Sequence, residues 1–445
     1  MLDIQFIRDN PDKVKNAAKD KGLDENMVEK TIEEVLRLDS NLRPLDQEIQ
    51  KLRAERNKIS SKFKGKKISA VDGKFPEKFQ DDYKKAFAIK QKLKDLEPQL
   101  KKLEASLNDL IFRLPNIPKE DVHIGKDETD NKVLRKWGKI PKFDFKPKHH
   151  LDLGTSLDII DVKRASKVSG SRFAYLKNEA VLLEFALVQF ALNTLNQKGF
   201  IPIIPPALTK VAVFHKLGYS EHGGNEDYYL VYDPKKEDPE EEANYYLIGT
   251  AEHAIVPYYQ NEILNHTKLP KRFVAFSSAF RREAGSYGKD TKGILRVHQF
   301  DKVEMVSITT PEKSDEEHEY LLSLEEELFQ ALNIPYQVVK MCTGDLGHPT
   351  ARKYDLEAWI PSENKYREVT STSTTTDYQS RRLKIKYQDI GKRKFVHMLN
   401  GTAYAIGRTI IAILENNQQK DGSITIPPIL RPYVGFDSIK SKNGK

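Results

Sequence analysis

The feature that most constrains the fold is a pair of apolar seams near the start of the chain, separated by a short stretch of helix breakers. The first seam comprises Val35, Leu38, Leu42, Leu45, Ile49 and Leu52, and the second comprises Ala86, Ile89, Leu93, Leu96, Leu100, Leu103, Leu107 and Leu110. Spacings that alternate between three and four are typical of helices that bury one stripe against a partner. Because Gly65, Gly73 and Pro76 interrupt the pattern between the seams, the sequence predicts an antiparallel helical hairpin. A parallel dimeric coiled coil is the alternative, but the short connection makes pairing within one chain less costly in entropy.

The positive charge of the chain is concentrated in the same stretch. The whole chain has 73 Lys and Arg against 65 Asp and Glu, a net charge of +8, and residues 41–110 alone hold 18 basic and 11 acidic side chains. A localised basic surface suits a polyanion such as nucleic acid, since each phosphate contact releases counterions. The solvated face of a lysine-rich helix has the same composition, so charge alone leaves both interpretations open.

Length and composition exclude several classes of protein. At 445 residues the chain is long enough for two or three domains. The single cysteine, Cys342, permits neither an internal disulfide nor a multi-cysteine zinc site, so no zinc is expected. The sequence has no apolar run of about 20 residues, the length that spans a bilayer, and its first residues lack a secretory apolar segment. We therefore expect a cytoplasmic protein without a membrane partner.

The order of patterns along the chain predicts three regions. Residues 1–112 form an N-terminal helical domain whose coiled-coil arm spans about 29–110, and residues 113–148, rich in polar and breaking residues, form a linker. From 149 to 445, apolar helices alternate with short β-rich runs such as 272–280. That mixture predicts one large α+β domain.

Two segments of this domain carry residue types suited to anions and aromatic rings. In the first, two strands around a glycine-containing loop bring Arg281 and Arg296 toward one cleft, where Phe300 offers a flat face to a base. A surface hairpin held by ion pairs is the alternative. In the second, residues 399–409 form a loop that enters an apolar helix, so Arg408 needs an anion, which is either a ligand or an internal salt bridge. The sequence contains neither a P-loop nor a dinucleotide-binding glycine fingerprint.

Together with a third segment, these two resemble the signature motifs of class II aminoacyl-tRNA synthetases, and specifically of bacterial-type seryl-tRNA synthetases. Motif 1 resembles residues 199–206, motif 2 resembles 280–304, and motif 3 resembles 407–409 with the following helix. The resemblance extends to 167–173, 250–252, 376–382 and 415–433. Each motif alone is weakly specific, and it is their order and spacing over essentially the whole chain that carry the resemblance.

The resemblance implies a fold and an activity. The fold is α+β, with an N-terminal antiparallel coiled-coil helical arm and a class II catalytic domain built on a mostly antiparallel β-sheet flanked by helices. The activity is that of an ATP-dependent serine–tRNA ligase, which forms seryl adenylate from L-serine and ATP with Mg²⁺ and transfers serine to the 3′ end of tRNA(Ser). The resemblance also implies a homodimer built on motif 1, and it leaves open whether tRNA(Sec) is a substrate.

Individual positions receive roles from the same resemblance. The catalytic set is Arg281, Arg408 and Glu368. The ATP-binding set is Arg281, Arg282, Glu283, Phe300, Glu368, Val369, Thr370, Ser371 and Arg408, of which Glu368 and Ser371 hold the magnesium. The serine-binding set is Thr250, Ala251, Glu252, Arg281, Glu304 and Thr402. The tRNA-binding set, near the tip of the arm, is Arg53, Arg56, Lys58, Lys62, Lys64, Lys66 and Lys67.

Two parts of the sequence depart from the family pattern. Thr402 stands where bacterial relatives often have serine, and residues 370–374 replace a run that usually carries cysteine and asparagine, although both keep small polar side chains.

Two other functions are alternatives. A paralogue that loads a carrier protein would be expected to lack the arm. An inactive RNA-binding scaffold would be expected to lack Arg281, Glu283 or Arg408, and the chain has all three.

Overall fold

The computed structural model describes residues 1–63, 77–220, 226–232, 245–284 and 292–440, with backbone alone for 77–79. The chain divides into a helical unit and a sheet unit. The helical unit consists of Leu2–Lys19 and Leu23–Pro115, and the sheet unit consists of Met1, Asp20–Gly22 and Asn116–Lys445. None of the helices in the described residues combines the length and the apolarity needed to cross a membrane.

Two long helices dominate the helical unit. The helices of this region are α1 (Ile4–Asp9), α2 (Pro11–Asp20), α3 (Glu25–Phe63) and α4 (Glu77–Phe112). Helices α3 and α4 pack along the predicted seams, where Ile49 is fully buried. Ion pairs cross between them from Arg53 to Glu97 and from Lys62 to Asp82, so residue numbers rise along one helix as they fall along the other. The predicted antiparallel hairpin is confirmed.

The sheet unit mixes helices and strands throughout. Its helices within the described residues are α5 (His150–Ser156), α6 (Val162–Ser169), α7 (Glu179–Gln197), α8 (Val211–Phe214), α9 (Glu252–Ile255), α10 (Ser314–Ala331), α11 (Tyr378–Leu383), α12 (Ile406–Asn416) and α13 (Arg431–Val434). Its strands there are β1 (Lys132–Trp137), β2 (Ile160–Asp161), β3 (Tyr175–Leu176), β4 (Ile201–Ile203), β5 (Leu208–Lys210), β6 (Leu230–Val231), β7 (Tyr245–Leu247), β8 (Ile263–Asn265), β9 (Lys271–Phe280), β10 (Gln299–Thr309), β11 (Tyr336–Lys340), β12 (Arg352–Ile360), β13 (Lys365–Thr376), β14 (Lys386–Asp389), β15 (Lys392–Phe395), β16 (His397–Ala405), β17 (Ile424–Thr425) and β18 (Ser438–Ile439).

Eight of these strands form the central sheet, in the order β1-β11-β12-β13-β16-β10-β9-β4. Neighbours are antiparallel except β4 and β9, which are parallel. Side chains alternate between the faces of a strand, so Val303 and Met305 of β10 join the core formed with α7, α10 and α12. Lys302 and Glu304 of the same strand point to the opposite face. A mostly antiparallel sheet flanked by helices confirms the predicted α+β class.

Part of the interval 113–148, predicted to be a linker, belongs to this sheet. Strand β1 lies inside it and pairs with β11 at the sheet edge, with Lys132 opposite Lys340. All but the last of its six side chains are exposed. Charged side chains are a usual protection of an edge strand against further pairing, and they also hide the alternation that identifies a strand in sequence. The strand was therefore not predicted.

Ile49→Ala tests the interface of α3 and α4. The substitution leaves a cavity in a fully buried position, so we expect the opening free energy of the backbone amides in both helices to fall by about 2–4 kcal/mol. Native-state hydrogen exchange measures this opening free energy. Gln47→Ala, at an exposed position of the same helix, is the control and should change the opening free energy by less than about 0.5 kcal/mol. Unchanged protection in Ile49→Ala would contradict the packing.

Candidate active site

Two bulges determine which side chains share the open face of the central sheet. Between β12 and β13 the register shifts, so Glu368 lies opposite Glu357 and Ser371 lies opposite Asp355, with Val369 as the extra residue. Since an extra residue reverses the alternation, Glu368 and Ser371 point to the same face although they are three residues apart. A second shift between β10 and β16 places Glu304 opposite Thr402.

Glu368, Ser371 and Thr402 border a cavity of about 300 Å³ on that face. The residues from the predicted sets that line it are Arg281, Glu283, Phe300, Glu368, Val369, Thr370, Ser371, Thr402 and Arg408. Glu304 joins them through its contact with Thr402, whose hydroxyl donates to Glu304 Oε2 at 3.2 Å. The structure therefore brings members of the predicted ATP-binding and serine-binding sets into one site.

Arg281 is held at the end of β9 by backbone and aromatic contacts. Its backbone N–H donates to the carbonyl of His298, which closes the hairpin of β9 and β10. Its Nε donates to the carbonyl of Gly249 at 3.1 Å, and its guanidinium lies 5.5 Å from the centre of the Phe300 ring. Arg281 is thus anchored through Nε, and it lines the cavity.

An ion pair spans the same hairpin. Arg296 Nη1 lies 3.1 Å from Glu283 Oε2, as expected for the ion-pair hairpin that the sequence left as an alternative. Both residues also line the cavity, so the two interpretations describe one structure. The loop residues 285–291 lie outside the described residues.

Arg408, at the start of α12, pairs with Glu368. Its Nη1 lies 2.9 Å from Glu368 Oε2 and donates to the Glu368 carbonyl at 3.0 Å. Burial would raise the pKa of Glu368, but the charges of Arg408 and Lys353 outweigh it and lower that pKa to about 2. Burial likewise opposes the charge of Arg408, and Glu368 more than offsets it, so the pKa of Arg408 is raised. The internal salt bridge allowed by the sequence is formed, and it lies within the cavity wall.

The other end of the site is built from buried carboxylates. Lys302 Nζ lies 2.5 Å from Glu304 Oε2, and both side chains are at most 8% exposed. Nearby, Glu252 Oε1 accepts hydrogen bonds from Tyr219 Oη at 2.8 Å and Gln379 Nε2 at 3.0 Å. Burial raises the pKa of Glu252. Such carboxylates can accept hydrogen bonds from a small ligand that carries an ammonium group and a hydroxyl.

Some predicted site residues do not present their side chains to the cavity. Thr370 is buried and donates its hydroxyl to Glu325 Oε2 of α10, on the helix side of the sheet, at 2.7 Å. Val369 belongs to the main core and Ala251 to a smaller apolar cluster. These three residues can offer a ligand backbone groups. Thr250 accepts from the Glu252 backbone N–H at 3.3 Å, and Arg282 is exposed.

Several residues that complete the site were not in the predicted sets. Tyr219 and Gln379 hold Glu252, Lys302 neutralises Glu304, and Lys353 pairs with Asp355 at 3.1 Å on the same face as Ser371. The two-residue spacing of Lys302 and Glu304 in a strand was a usable signal, since it places both charges on one face. No local pattern connects Tyr219 or Gln379 with a residue far away in the sequence.

The predicted tRNA contacts fall on the end of α3 and beyond it. Arg53 and Lys62 are engaged in ion pairs with α4. Lys58 is exposed and Arg56 is partly exposed. Lys64, Lys66 and Lys67 lie outside the described residues.

Gly249→Ala tests whether the backbone at Gly249 fixes the site. A Cβ there would lie 2.6 Å from the Tyr228 ring, and that ring packs against Phe214 and His253. We expect a destabilisation of about 1–3 kcal/mol, seen as a lower Tm. Gly347→Ala is the matched control, because its Cβ would make an ordinary 3.7 Å contact with Thr350. Equal Tm values for the two variants would contradict this close packing.

Comparisons with known proteins agree over the whole chain. Residues 1–118 match the model of the seryl-tRNA synthetase N-terminal domain, and residues 232–417 match that of the tRNA synthetase class II core domain (G, H, P, S and T). The serine–tRNA ligase of Dictyoglomus thermophilum is 45% identical over 443 residues, covering 99% of this chain and 100% of that protein. The crystal structure of seryl-tRNA synthetase from Pyrococcus horikoshii complexed with ATP has a TM-score of 0.84 at 42% identity, covering 99% of this chain and 100% of that chain. Cytoplasmic serine–tRNA ligase from Naegleria fowleri in complex with AMP has a TM-score of 0.82 at 31% identity, covering 100% and 99%. This chain belongs to the seryl-tRNA synthetase family.

Proposed function

We propose that this chain is an ATP-dependent serine–tRNA ligase, which joins serine to AMP and then transfers it to the 3′ end of tRNA(Ser). The observation that carries the proposal is the continuity of the site. Its arginine end, at Arg281 and Arg408, is connected along one sheet face to its carboxylate end, at Glu304 and Thr402. An enzyme that joins an amino acid to a nucleotide needs both ends in one place.

In the first step, a serine carboxylate oxygen bonds to the α-phosphorus of ATP, and the bond from that phosphorus to pyrophosphate breaks. A carboxylate is already nucleophilic, so the protein must orient two anions and neutralise their charge rather than remove a proton. We assign Arg281 to both the α-phosphate and the serine carboxylate, because it lines the cavity and a guanidinium fork can bind two oxygens side by side. Phe300 and Arg408 are assigned to the two faces of the adenine ring, with Glu283 at its edge and Arg408 also at the γ-phosphate.

Glu368 and Ser371 are the residues that would hold magnesium with the ATP phosphates. Their chemistry fits, because Glu368 is ionised, has a side chain that is 40% exposed, and shares a sheet face with the Ser371 hydroxyl. Magnesium favours carboxylate and phosphate oxygens, and when bound it supplies positive charge against the triphosphate. The ion pair with Arg408 keeps the Glu368 carboxylate ionised and oriented.

Specificity for serine is assigned to the carboxylate end. Glu252 and Glu304 would accept hydrogen bonds from the ammonium group and the side-chain hydroxyl of serine. Alanine would leave one buried acceptor unpaired, which is a large penalty. Threonine must be rejected by size, and the methyl group of Thr402, 4% exposed and directly beside Glu304, narrows the pocket there.

In the second step, a hydroxyl of the terminal tRNA ribose bonds to the carbonyl carbon of seryl adenylate, and the bond to AMP breaks. The basic arm is assigned to the tRNA, because helices can contact RNA backbone and shape without reading base sequence. A cytoplasmic location is part of the proposal. Whether tRNA(Sec) is also charged is measured by incubating the protein with serine, ATP and each tRNA and quantifying the seryl-tRNA formed.

A homodimer is part of the proposal. Large apolar side chains are exposed on α7 and around β4, the region that resembles motif 1. Leu182 is 50%, Phe185 59%, Ile201 52% and Ile204 81% exposed. A concentration of apolar surface of this kind marks an interaction site more often than isolated exposed residues do. Sedimentation equilibrium of the purified protein measures the association.

Amino-acid-dependent ATP–pyrophosphate exchange tests the proposed function. With magnesium, we expect exchange with serine and far less with threonine, alanine, glycine or cysteine. Arg281→Lys keeps the charge but loses the fork, so it should lower serine-dependent exchange by about 10²–10³-fold. Arg393→Lys, at an exposed position of β15, is the control. Exchange with another amino acid instead of serine would contradict the proposed substrate. A folded protein that shows no exchange with any of them would contradict the proposed formation of an adenylate.

Lys58→Ala tests the role of the arm. If Lys58 neutralises an RNA phosphate, its loss weakens tRNA(Ser) binding and reduces the slope of log affinity against log salt by about 0.7–0.9. Fluorescence anisotropy across a salt series measures both quantities. Lys102→Ala is the control, because Lys102 is exposed in the C-terminal part of α4, far along the arm from the end of α3 that carries Lys58. Equal slopes for Lys58→Ala and the wild type would exclude this phosphate contact.

A further inference from the structure

A buried carboxylate outside the cavity connects the segments that form its walls. Glu415, near the end of α12, is fully buried, and its neighbour His150, at the start of α5, is 1% exposed. Glu415 Oε1 accepts the backbone N–H of His150 at 2.9 Å and lies 3.3 Å from His150 Nδ1. Glu415 Oε2 accepts the backbone N–H of Ser362 at 3.0 Å. One carboxylate therefore joins α5, α12 and the turn between β12 and β13.

His150 extends this connection to the backbone that follows the motif 2 loop. Its Nε2 accepts the backbone N–H of Ile294 at 3.3 Å. Gly293 has φ +82°, and a Cβ there would lie 2.1 Å from His150 Nε2, so the backbone rests directly on the imidazole ring. On the other side, a Cβ at Gly407 would lie 3.5 Å from the Ile294 carbonyl. Ile294 is thus held between His150 and the start of α12.

Three segments that the pair contacts each carry a cavity residue a short distance along the chain: the backbone at Ile294, the turn at Ser362 and helix α12. Arg296 follows Ile294 by two residues, Glu368 follows Ser362 by six, and Arg408 precedes Glu415 by two turns of α12. All three of these charged residues line the cavity. Helix α12 is stiff between Arg408 and Glu415, and Arg296 lies only two residues from the backbone that His150 holds, in an irregular segment. Glu368 lies on β13, which begins directly after the turn that holds Ser362. The buried pair therefore constrains the spacing of the three charges.

We propose that Glu415 and His150 are positioning residues that fix Arg296, Glu368 and Arg408 at the spacing required to bind ATP. This inference rests on the proposed function of the cavity. It predicts that loosening the pair affects ATP far more than serine. The carboxylate end of the site is built on β10, β16 and α9, whereas the hydrogen bonds of the pair within the described residues reach the backbone at Ile294 and the turn at Ser362.

The hydrogen bonds favour a positioning pair over a cation site. Ligand atoms of His149, His150 and Glu415 lie within 4.8 Å of one another, a spacing that a metal ion could bridge. However, His150 Nε2 accepts an N–H, so the ring proton lies on Nδ1 and faces Glu415. His149 Nδ1 accepts the N–H of Leu151 at 3.3 Å. Burial would raise the pKa of Glu415, but hydrogen bonds from His150 and Ser362 outweigh it and lower that pKa, so the carboxylate remains an ionised acceptor.

Two amide substitutions at position 150 test the proposal. His150→Asn can still donate to Glu415 but is too short to reach Ile294, whereas His150→Gln places an acceptor near the position of Nε2. We expect His150→Asn to raise the KM for ATP in serine-dependent exchange by about tenfold, with the KM for serine unchanged. It should also speed hydrogen exchange of the amides at 294–297 in the free protein. His150→Gln should restore the wild-type KM for ATP and the wild-type rate of hydrogen exchange. The control His149→Asn, which keeps a cap acceptor for Leu151, should alter neither of these two quantities.

Different outcomes separate the possible failures. Unchanged amide exchange and ATP KM in His150→Asn would overturn the proposal, and so would an equal rise of both KM values. A stoichiometric zinc ion in the purified protein, lost in His149→Asn, would overturn it in favour of a metal site. The wild type could also show no serine-dependent ATP–pyrophosphate exchange while His150→Asn shows faster hydrogen exchange of the amides at 294–297. That result would support the connection to Ile294 and contradict the proposed function.

Discussion

Paired charges on one face of the central sheet are the constraint on which the sheet unit depends. Lys302 with Glu304, Arg408 with Glu368, and Lys353 with Asp355 lie on or beside a face whose reverse side packs against α7, α10 and α12. A buried charge without a partner would cost several kcal/mol. The opposite charge beside it reduces this cost most for the buried pair of Lys302 and Glu304, and the three pairs place positive and negative groups next to one another at the cavity.

The bulges explain why the pairs meet. In a regular ladder, residues three apart point to opposite faces, and Glu368 and Ser371 would not share the cavity. The extra residue, Val369, reverses the alternation and places Glu368 and Ser371 on one face. The register shift beside Glu304 places Thr402 opposite Glu304. The sequence pattern predicted strands at β10 and β13, but where β16 lies it predicted a loop, because Gly401 and Gly407 were interpreted as parts of a loop that enters α12. That prediction was wrong for the residues up to Ala405. The bulge at Val369 could not be predicted either, because a run of threonine and serine is compatible with either face. For the same reason the orientation of Thr370 toward Glu325 was not foreseen.

Other parts of the molecule were predictable to the extent that their signals are local. The seams of α3 and α4 encode their own pairing, and Arg281 and Arg408 were identified within motifs whose order and spacing are distinctive. Strand β1 was not predicted because Val133 and Leu134 stand side by side between charged residues, so its exposed side chains show no alternation. Tyr219 and Gln379 reach Glu252 from distant segments, and the link from Glu415 to Ser362 and His150 is equally long-range. Only a folded chain shows such partners.

One site is proposed to bind the amino acid and the nucleotide together. Isothermal titration calorimetry with non-hydrolysable sulfamoyl analogues of seryl and alanyl adenylate measures this binding. We expect the seryl analogue to bind about 100-fold or more tightly than the alanyl analogue, because alanine leaves a buried acceptor at Glu252 or Glu304 unpaired. Equal affinities for the two analogues, or no binding of either to folded protein, would contradict it.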